Sequence, residues 1–469
     1  EMLLFYCRGQ GHVALAVASS GIAATLMPLG RTAHSRFKIP INVSATTMCN
    51  IPRQGELAFI LKRTRLIVWD EAAMAHRHCF EAVERSIRDV LGDDAAAKIV
   101  WVVSGDFRQV PPVVRRGSVA QIVRASLRKS PLWPTFTKRQ LTVNMRVQRL
   151  ASIRHAREAS LYESFGRWTL SIGNGTVRSV EELRALEEEA SGGHAAEPSA
   201  FDAALEPQLR RCTPAAGGAA RAARPRRLRQ NAVQDSTTEI RIPRHMCMPK
   251  GTGMVDLLSW VLPNLHTVDV NDPAALAALG KRMVLTPLNR DVVLINDMAI
   301  DAFPGEAREY LSIDSVVDET GGDLTELYTQ EYLNTINHAS VPGHRIRLKV
   351  GMPVMLLRNL AAQTGDCNGS RYIIERLGAN VLVVKTFDGS RTPRIDCDTS
   401  DCGLPITMRR RQFPVRVAFA ATINKAQGAT LERLGLWLQQ PVLGHGQLYA
   451  GVSRVGDPRA IRIGAPESA

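Results

Sequence analysis

No stretch of the 469-residue sequence reads GxxxxGK[ST], the glycine-rich loop whose backbone amides and lysine cradle nucleotide phosphates. That absence excludes a complete phosphate-binding ATP site encoded by this sequence alone. No run of about 18 apolar residues occurs either, so a membrane-spanning helix is not expected. The eight cysteines are scattered. Only Cys397 and Cys402, in "CDTSDC", lie close together, and one such pair falls short of a four-ligand zinc site; reduced thiols are expected. Acidic residues are the scarcer charge, 45 Asp+Glu against 59 Lys+Arg, which leaves a net charge of +14. Such a surplus favours a polyanionic partner such as nucleic acid, with a basic insert unrelated to function as the alternative.

What is present is an alternation of apolar strands and helices. "VALAVA" (Val13–Ala18), Leu66–Asp70 and "KIVWVVSGD" read as buried strands, and "SSGIAATLM" as a helix opening at Ser19 or Ser20. In "HCFEAVERSIRDVL", Phe80, Val83, Ile87 and Val90 form one helical stripe. Near-continuous apolar strands separated by helices predict an α/β fold with parallel sheets covered on both faces, and ligands beyond the strands' carboxyl ends. The first domain is expected over 1–148, closing near Val147. A linker is expected over 149–280, with a flexible insert rich in Ala, Arg, Gly and Pro at about 187–230. The second domain is expected over 281–469, from a strand at Met283–Thr286 and a helix with Val292, Ile295 and Met298 or Ala299 inward. Short strands broken by Gly, Asn and Asp predict a small inserted β-barrel-like part at about 344–411.

Five places could carry chemistry. Asp70 and Glu71 follow the apolar run of "LIVWDEAAM"; a carboxylate there can hold a hydrated magnesium, and its neighbour can deprotonate water. An acidic turn that merely ends a strand is the alternative. Gln109, in "SGDFRQVPPV", can donate to a γ-phosphate and accept from water, or sit in a polar turn. Arg146 and Arg454 end the two α/β blocks, where an arginine reaching across a cleft neutralises phosphoryl charge; with 59 basic residues either could be plain surface charge. "TINKAQGATL" offers backbone amides at a strand-to-helix turn that can bind phosphate, of ATP or of a DNA strand, with an ordinary capped helix start as the alternative. "GRTAHSRF" sets Thr, His, Ser and Arg beside an aromatic, a pattern suited to a nucleic-acid backbone contact plus stacking, with a structural His34 as the alternative.

Together "ALAVASSGIAATLMPLGRTAHSRFKIPI", "LIVWDEAAM", "SGDFRQVPPVV", "LTVNMRV", "LTPLNRDVVLIND", "LKVGMPVMLLRNL", "CNGSR", "RRRQFPVRVAFAATINKAQGATL" and "LYAGVSRV" resemble, in order and over most of the chain outside about 165–240, the PIF-type (petite integration frequency) superfamily-one DNA helicases. The nearest likeness is to the helicase portion of Helitron-type transposons. The resemblance implies two RecA-like domains with ATP and Mg2+ between them. It implies 5′-to-3′ translocation on single-stranded DNA, unwinding of forked duplexes, and work in repair, recombination and telomere maintenance in the nucleus, with the mitochondrion as a second compartment. Residue by residue it makes Asp70 the magnesium carboxylate, Glu71 the catalytic base, Gln109 the γ-phosphate sensor, and Arg146 and Arg454 arginine fingers. Gln427 and Gly428 fall in the nucleotide-coupling segment, and Thr32, His34, Asn424 and Lys425 in segments that touch DNA. The family's GKT-bearing loop precedes the helix that would contain "EMLLFYC", so the chain is expected to be N-terminally truncated and inactive as it stands. Gly451 and Ala426 depart from the family pattern. The rival reading is a non-enzymatic, transposon-derived remnant that binds single-stranded DNA; an unrelated P-loop signalling ATPase would leave the DNA-contact segments unexplained.

Overall fold

The structure, a computed structural model, describes residues 1–114, 117–143, 145, 156–177, 227–231, 237–249, 251–317, 328–336, 341–360, 366–385, 392–393, 395–398, 407–442, 444 and 446–465. Its amino-terminal domain is a four-stranded parallel sheet. Strands β1 (Val13–Ala18), β2 (Arg31–Thr32), β3 (Thr64–Asp70) and β4 (Val100–Val103) lie in the order β2-β1-β3-β4. Alternation along β1 sends Leu15 and Val17 to one face and Ala14 and Ala16 to the other. The first pair packs with Phe37, Ile67, Trp69 and Phe80; the second packs with Leu4 of helix α1 (Met2–Gly9) and Leu66. Both faces are therefore covered, as the unbroken apolar strands require. Helices α2 (Gly21–Thr25), α3 (Ala33–Phe37), α4 (Glu56–Arg63) and α5 (Arg77–Leu91) supply the rest of the packing. Phe80, Val83 and Ile87 of the α5 stripe are buried, and Val90 packs at its margin.

The second parallel sheet runs in the order 420–422, 282–286, 433–437, 461–464. Met283 and Leu285 face one core and Val284 the other. From the helix Asn289–Ala302, Val292, Ile295 and Ala299 point inward, whereas Met298 lies at the core's edge.

The small β part is present as three antiparallel sheets, and it reaches further toward the amino terminus than the sequence indicated. Arg308–Leu311 pairs with Arg345–Leu348, and Ile313–Val317 pairs with Thr407–Gln412. The five-stranded sheet of this part shares a single hydrophobic cluster with the second parallel sheet, through Val354, Tyr372, Ile374, Val415 and Val284.

The stretch expected as a linker, 149–280, is largely folded among the described residues. The helix Ala156–Asn174 buries Phe165 and Ile172 against Leu448 and Tyr449, and the helix Met254–Val261 buries Leu257 and Val261 against the second sheet. Their apolar stripes fit the second domain's faces, so burial outweighs the polar residues between. Of the expected insert, residues 187–226 lie outside the described residues, and Arg227–Asn231 pairs with Thr237–Arg241 as a hairpin. No helix among the described residues is long and apolar enough to cross a membrane.

Candidate active site and nucleic-acid cleft

The carboxyl end of the first sheet is tied into one unit by backbone bonds. Ser19 N–H donates to the Asp70 carbonyl at 3.1 Å, Ser104 N–H to Trp69 at 2.9 Å, and Ala72 N–H to Ser104 at 2.9 Å. Trp69, fully buried between Phe37 and Phe80, anchors the end of β3 and donates its indole N–H to Ser19 Oγ at 3.0 Å. On this platform Asp70 Oδ1 accepts from Ser104 Oγ at 2.6 Å and from Glu71 N–H at 2.9 Å, which fixes the carboxylate's direction. Glu71 adopts a left-handed backbone, φ 51°. That conformation is costly for a residue with a Cβ and is concentrated at functional sites. Its Oε2 is buried with no hydrogen-bond partner. Burial pushes the Glu71 carboxyl up from the usual range; Asp70 and Asp106 add to the rise, and Arg454 opposes it. A raised, unpartnered carboxyl suits a group that accepts a proton.

Arg454 comes from the second domain, and its charge acts on Glu71 across the seam between the lobes. It is buried, and its guanidinium donates to the Ala450 and Ala429 carbonyls at 2.7 and 3.3 Å and to Ser453 Oγ at 2.8 Å. Gln427 Nε2 donates across the same seam to Gln109 Oε1 at 2.8 Å. Gly428 follows at φ +85°, a backbone state that L side chains rarely adopt. The site thus unites Asp70, Glu71, Gln109, Gln427, Gly428 and Arg454. Arg146 lies outside the described residues.

The four residues expected on DNA share one cleft of about 540 Å³ with residues from both domains. Thr32 and His34 line its first-domain wall, and Asn424 and Lys425 its second. Thr32 also caps α3 by accepting from Ser35 N–H at 3.3 Å, so it has a structural duty as well. Lys425 Nζ donates to Asn368 Oδ1 at 2.9 Å, and burial, with Arg416 adding to it, pulls its ammonium below the usual range. Asn424 Oδ1 accepts from Gln447 Nε2 at 3.4 Å. Ser19, Ser20, Asn359, Asn368 and Arg416 are among the other lining residues, and sequence reasoning did not assign them to the nucleic acid. Asn368 stands in the turn "CNGSR" and Arg416 inside an apolar strand, so only the asparagine-glycine pair gave a signal, and that signal reads as a turn.

Among the described residues no group of three or more His, Cys, Asp or Glu side chains could hold a metal by itself. Asp70 with the orphaned Glu71 oxygen fits a hydrated cation that brings other ligands with it, and does not fit a caged ion.

The model of the PIF1-like helicases matches residues 1–183, and that of the DNA helicase Pif1 2B domain matches residues 331–377. The ATP-dependent DNA helicase PIF1 of Rattus norvegicus is 28% identical over 177 residues, 37% of this chain and 26% of that protein. The chain thus spans about a quarter of the length of the curated relatives it matches. Among solved structures, Bacteroides Pif1 bound to ssDNA superposes with a TM-score of 0.60 at 18% identity, covering 98% of this chain and 84% of that one. Pif1 helicase from Bacteroides in complex with ADP-AlF3 and ssDNA gives 0.58 at 18% identity, covering 96% and 82%. At that identity the superpositions establish the fold: two RecA-like α/β domains with a small inserted β part. Over residues 1–183 and 331–377, and in its fold, this chain is thus similar to the PIF1-like helicases.

Proposed function

We propose that this chain is the two-lobed motor of an ATP-dependent DNA helicase that moves 5′-to-3′ on single-stranded DNA and opens forked duplexes. The observation that carries the reading is the seam where Gln427 of the second domain bonds to Gln109 of the first at 2.8 Å, with the Arg454 charge acting on Glu71, beside a cleft lined by both domains. In such a site Glu71 would take a proton from the attacking water, Asp70 would hold magnesium, and Gln109 would sense the γ-phosphate, with Gln427 and Gly428 in the segment that couples nucleotide to DNA. ATP, when bound there, supplies the phosphoryl group whose transfer to water drives lobe movement. The complex of the Bacteroides relative with ADP-AlF3 and ssDNA supports nucleotide and DNA as the ligands.

The carboxylates, the glutamines and Arg454 fit this chemistry, but the sequence carries no phosphate cradle, so no hydrolytic step is derived for the chain as given. The absent loop equally supports the second reading, a DNA-binding remnant without turnover.

Both readings require DNA binding. The chain is expected to bind a labelled single-stranded oligonucleotide with little sequence preference, and fluorescence anisotropy should give a log–log salt slope of about −0.7 per phosphate contacted. Lys425→Ala and Arg416→Ala should each weaken binding and flatten that slope. Salt-independent binding, or none, would remove DNA from the cleft.

A further inference from the structure

Two first-domain residues are gripped by the second domain in a way that the phosphate chemistry does not use. Tyr449, on the helix Gln447–Val452 that leads to Arg454, donates its hydroxyl to Asp106 Oδ2 at 2.7 Å. Asp106 sits just beyond β4 and also organises its own loop: its Oδ1 accepts from Arg108 N–H at 3.0 Å, and its carbonyl from Gln109 N–H at 3.1 Å. Arg108 Nε in turn reaches Asn174 Oδ1, on the second-domain helix Ala156–Asn174, at 2.6 Å. Val110 packs at the margin of the second domain's core. The fit is close: Gly446, at φ +73°, lies where a Cβ would overlap the Arg108 and Gln109 carbonyl oxygens. Burial and the Asp106 carboxylate both push the Tyr449 phenol up, so it stays a donor throughout the working pH range.

We propose that Tyr449 is a positioning residue: its hydrogen bond to Asp106 is the latch that sets the turn bearing Arg454 against the first domain. The geometry follows directly. Ser453 N–H bonds to the Tyr449 carbonyl at 3.0 Å and Arg454 N–H to the Gly451 carbonyl at 3.2 Å, so the backbone leading into the arginine is tied, at Ser453, to the residue that touches Asp106. The same loop carries Gln109, which meets Gln427. One contact thereby fixes the arginine and the glutamine pair together. This inference deepens the reading of Arg454 as the arginine that meets the phosphates, but its test needs no hydrolysis.

Hydrogen–deuterium exchange on the full chain reads the latch. Tyr449→Phe and Asp106→Asn are each expected to speed exchange at the Ser453 and Arg454 amides about tenfold, as loss of one strong hydrogen bond would. The double variant should be no faster than either single one, because both remove the same contact. Exchange in the Met283–Thr286 strand should stay unchanged, which separates a loosened latch from a loosened domain. Unchanged exchange at Ser453 and Arg454 in Tyr449→Phe would overturn the proposal. So would single effects that multiply to about a hundredfold in the double variant. If the latch holds but Arg454→Ala leaves ATP turnover of a loop-bearing protein intact, the phosphate reading fails and the latch stands.

Discussion

Removing the Asp314 carboxylate alone should destabilise the small β part more than any surface change. Asp314 and Arg410 are fully buried and paired twice, Nε to Oδ1 at 2.8 Å and Nη2 to Oδ2 at 2.7 Å. Ser312 Oγ donates to the same carboxylate at 2.7 Å. The guanidinium also serves the carbonyls of Leu333, Ile336 and Pro342 at 2.9, 3.0 and 3.1 Å. Asp314→Ala leaves that cation buried without a counter-charge, a loss of about 3–5 kcal/mol. For an isolated buried pair, replacing both partners by apolar residues often costs nothing. Here Asp314→Leu with Arg410→Met would still orphan the buried Leu333 and Pro342 carbonyls, each worth about 1–3 kcal/mol, and the part-buried Ile336 carbonyl. The double variant should therefore remain destabilised by about 3 kcal/mol or more. The chain has more than one domain, so the effect is best read locally, as hydrogen exchange at the amides of Thr407–Gln412 alongside a denaturant curve. An Asp314→Ala loss below about 1 kcal/mol, or a double variant as stable as the parent, would refute the assignment of this pair as a clamp on three chain segments.

Two further outcomes follow from single positions. Gly428→Ala should cost about 1–2 kcal/mol, because its φ of +85° strains any side chain; it should also weaken DNA binding by shifting Gln427 and Ala429, which a melting curve and anisotropy would register, and an unshifted melting temperature would count against it. Burial, with Cys49 adding to it, pushes the Cys79 thiol up from 9.0 to about 11. The folded state keeps its proton where the unfolded chain loses it, so stability from this group is whole below pH 9 and falls by about 2 kcal/mol as pH rises toward 11. Wild-type and Cys79→Ala melting curves over that range should differ in pH slope, and parallel slopes would contradict the shift.

The parts legible in the sequence were those written in local pattern. Val13–Ala18 and the apolar run into Asp70 announce strands because both faces of each are buried. Asp70 and Glu71 stood out because carboxylates at the end of such a run are exceptional. What escaped depends on long-range placement. The Tyr449 bond to Asp106 joins positions 343 residues apart, and nothing near either one marks it. The strands 308–317 were hidden because Ser312 and Asp314 interrupt the apolar alternation, and only the distant Arg410 makes their burial tolerable. The helix Ala156–Asn174 was readable in principle, since Leu161, Tyr162, Phe165 and Ile172 are all buried, but its neighbourhood of polar residues obscured the stripe.

Phosphate release in the presence and absence of single-stranded DNA tests the central claim most directly, run on this chain and on the same chain extended by an in-frame strand and GKT loop. Almost no hydrolysis is expected of the chain as given, since positioning and electrostatic stabilisation are nearly the whole of phosphoryl-transfer catalysis. The extended protein should show DNA-stimulated turnover, and Glu71→Gln should abolish it, because an amide keeps the shape but cannot take the proton. Robust hydrolysis by the unextended chain, or an active Glu71→Gln protein, would contradict the account.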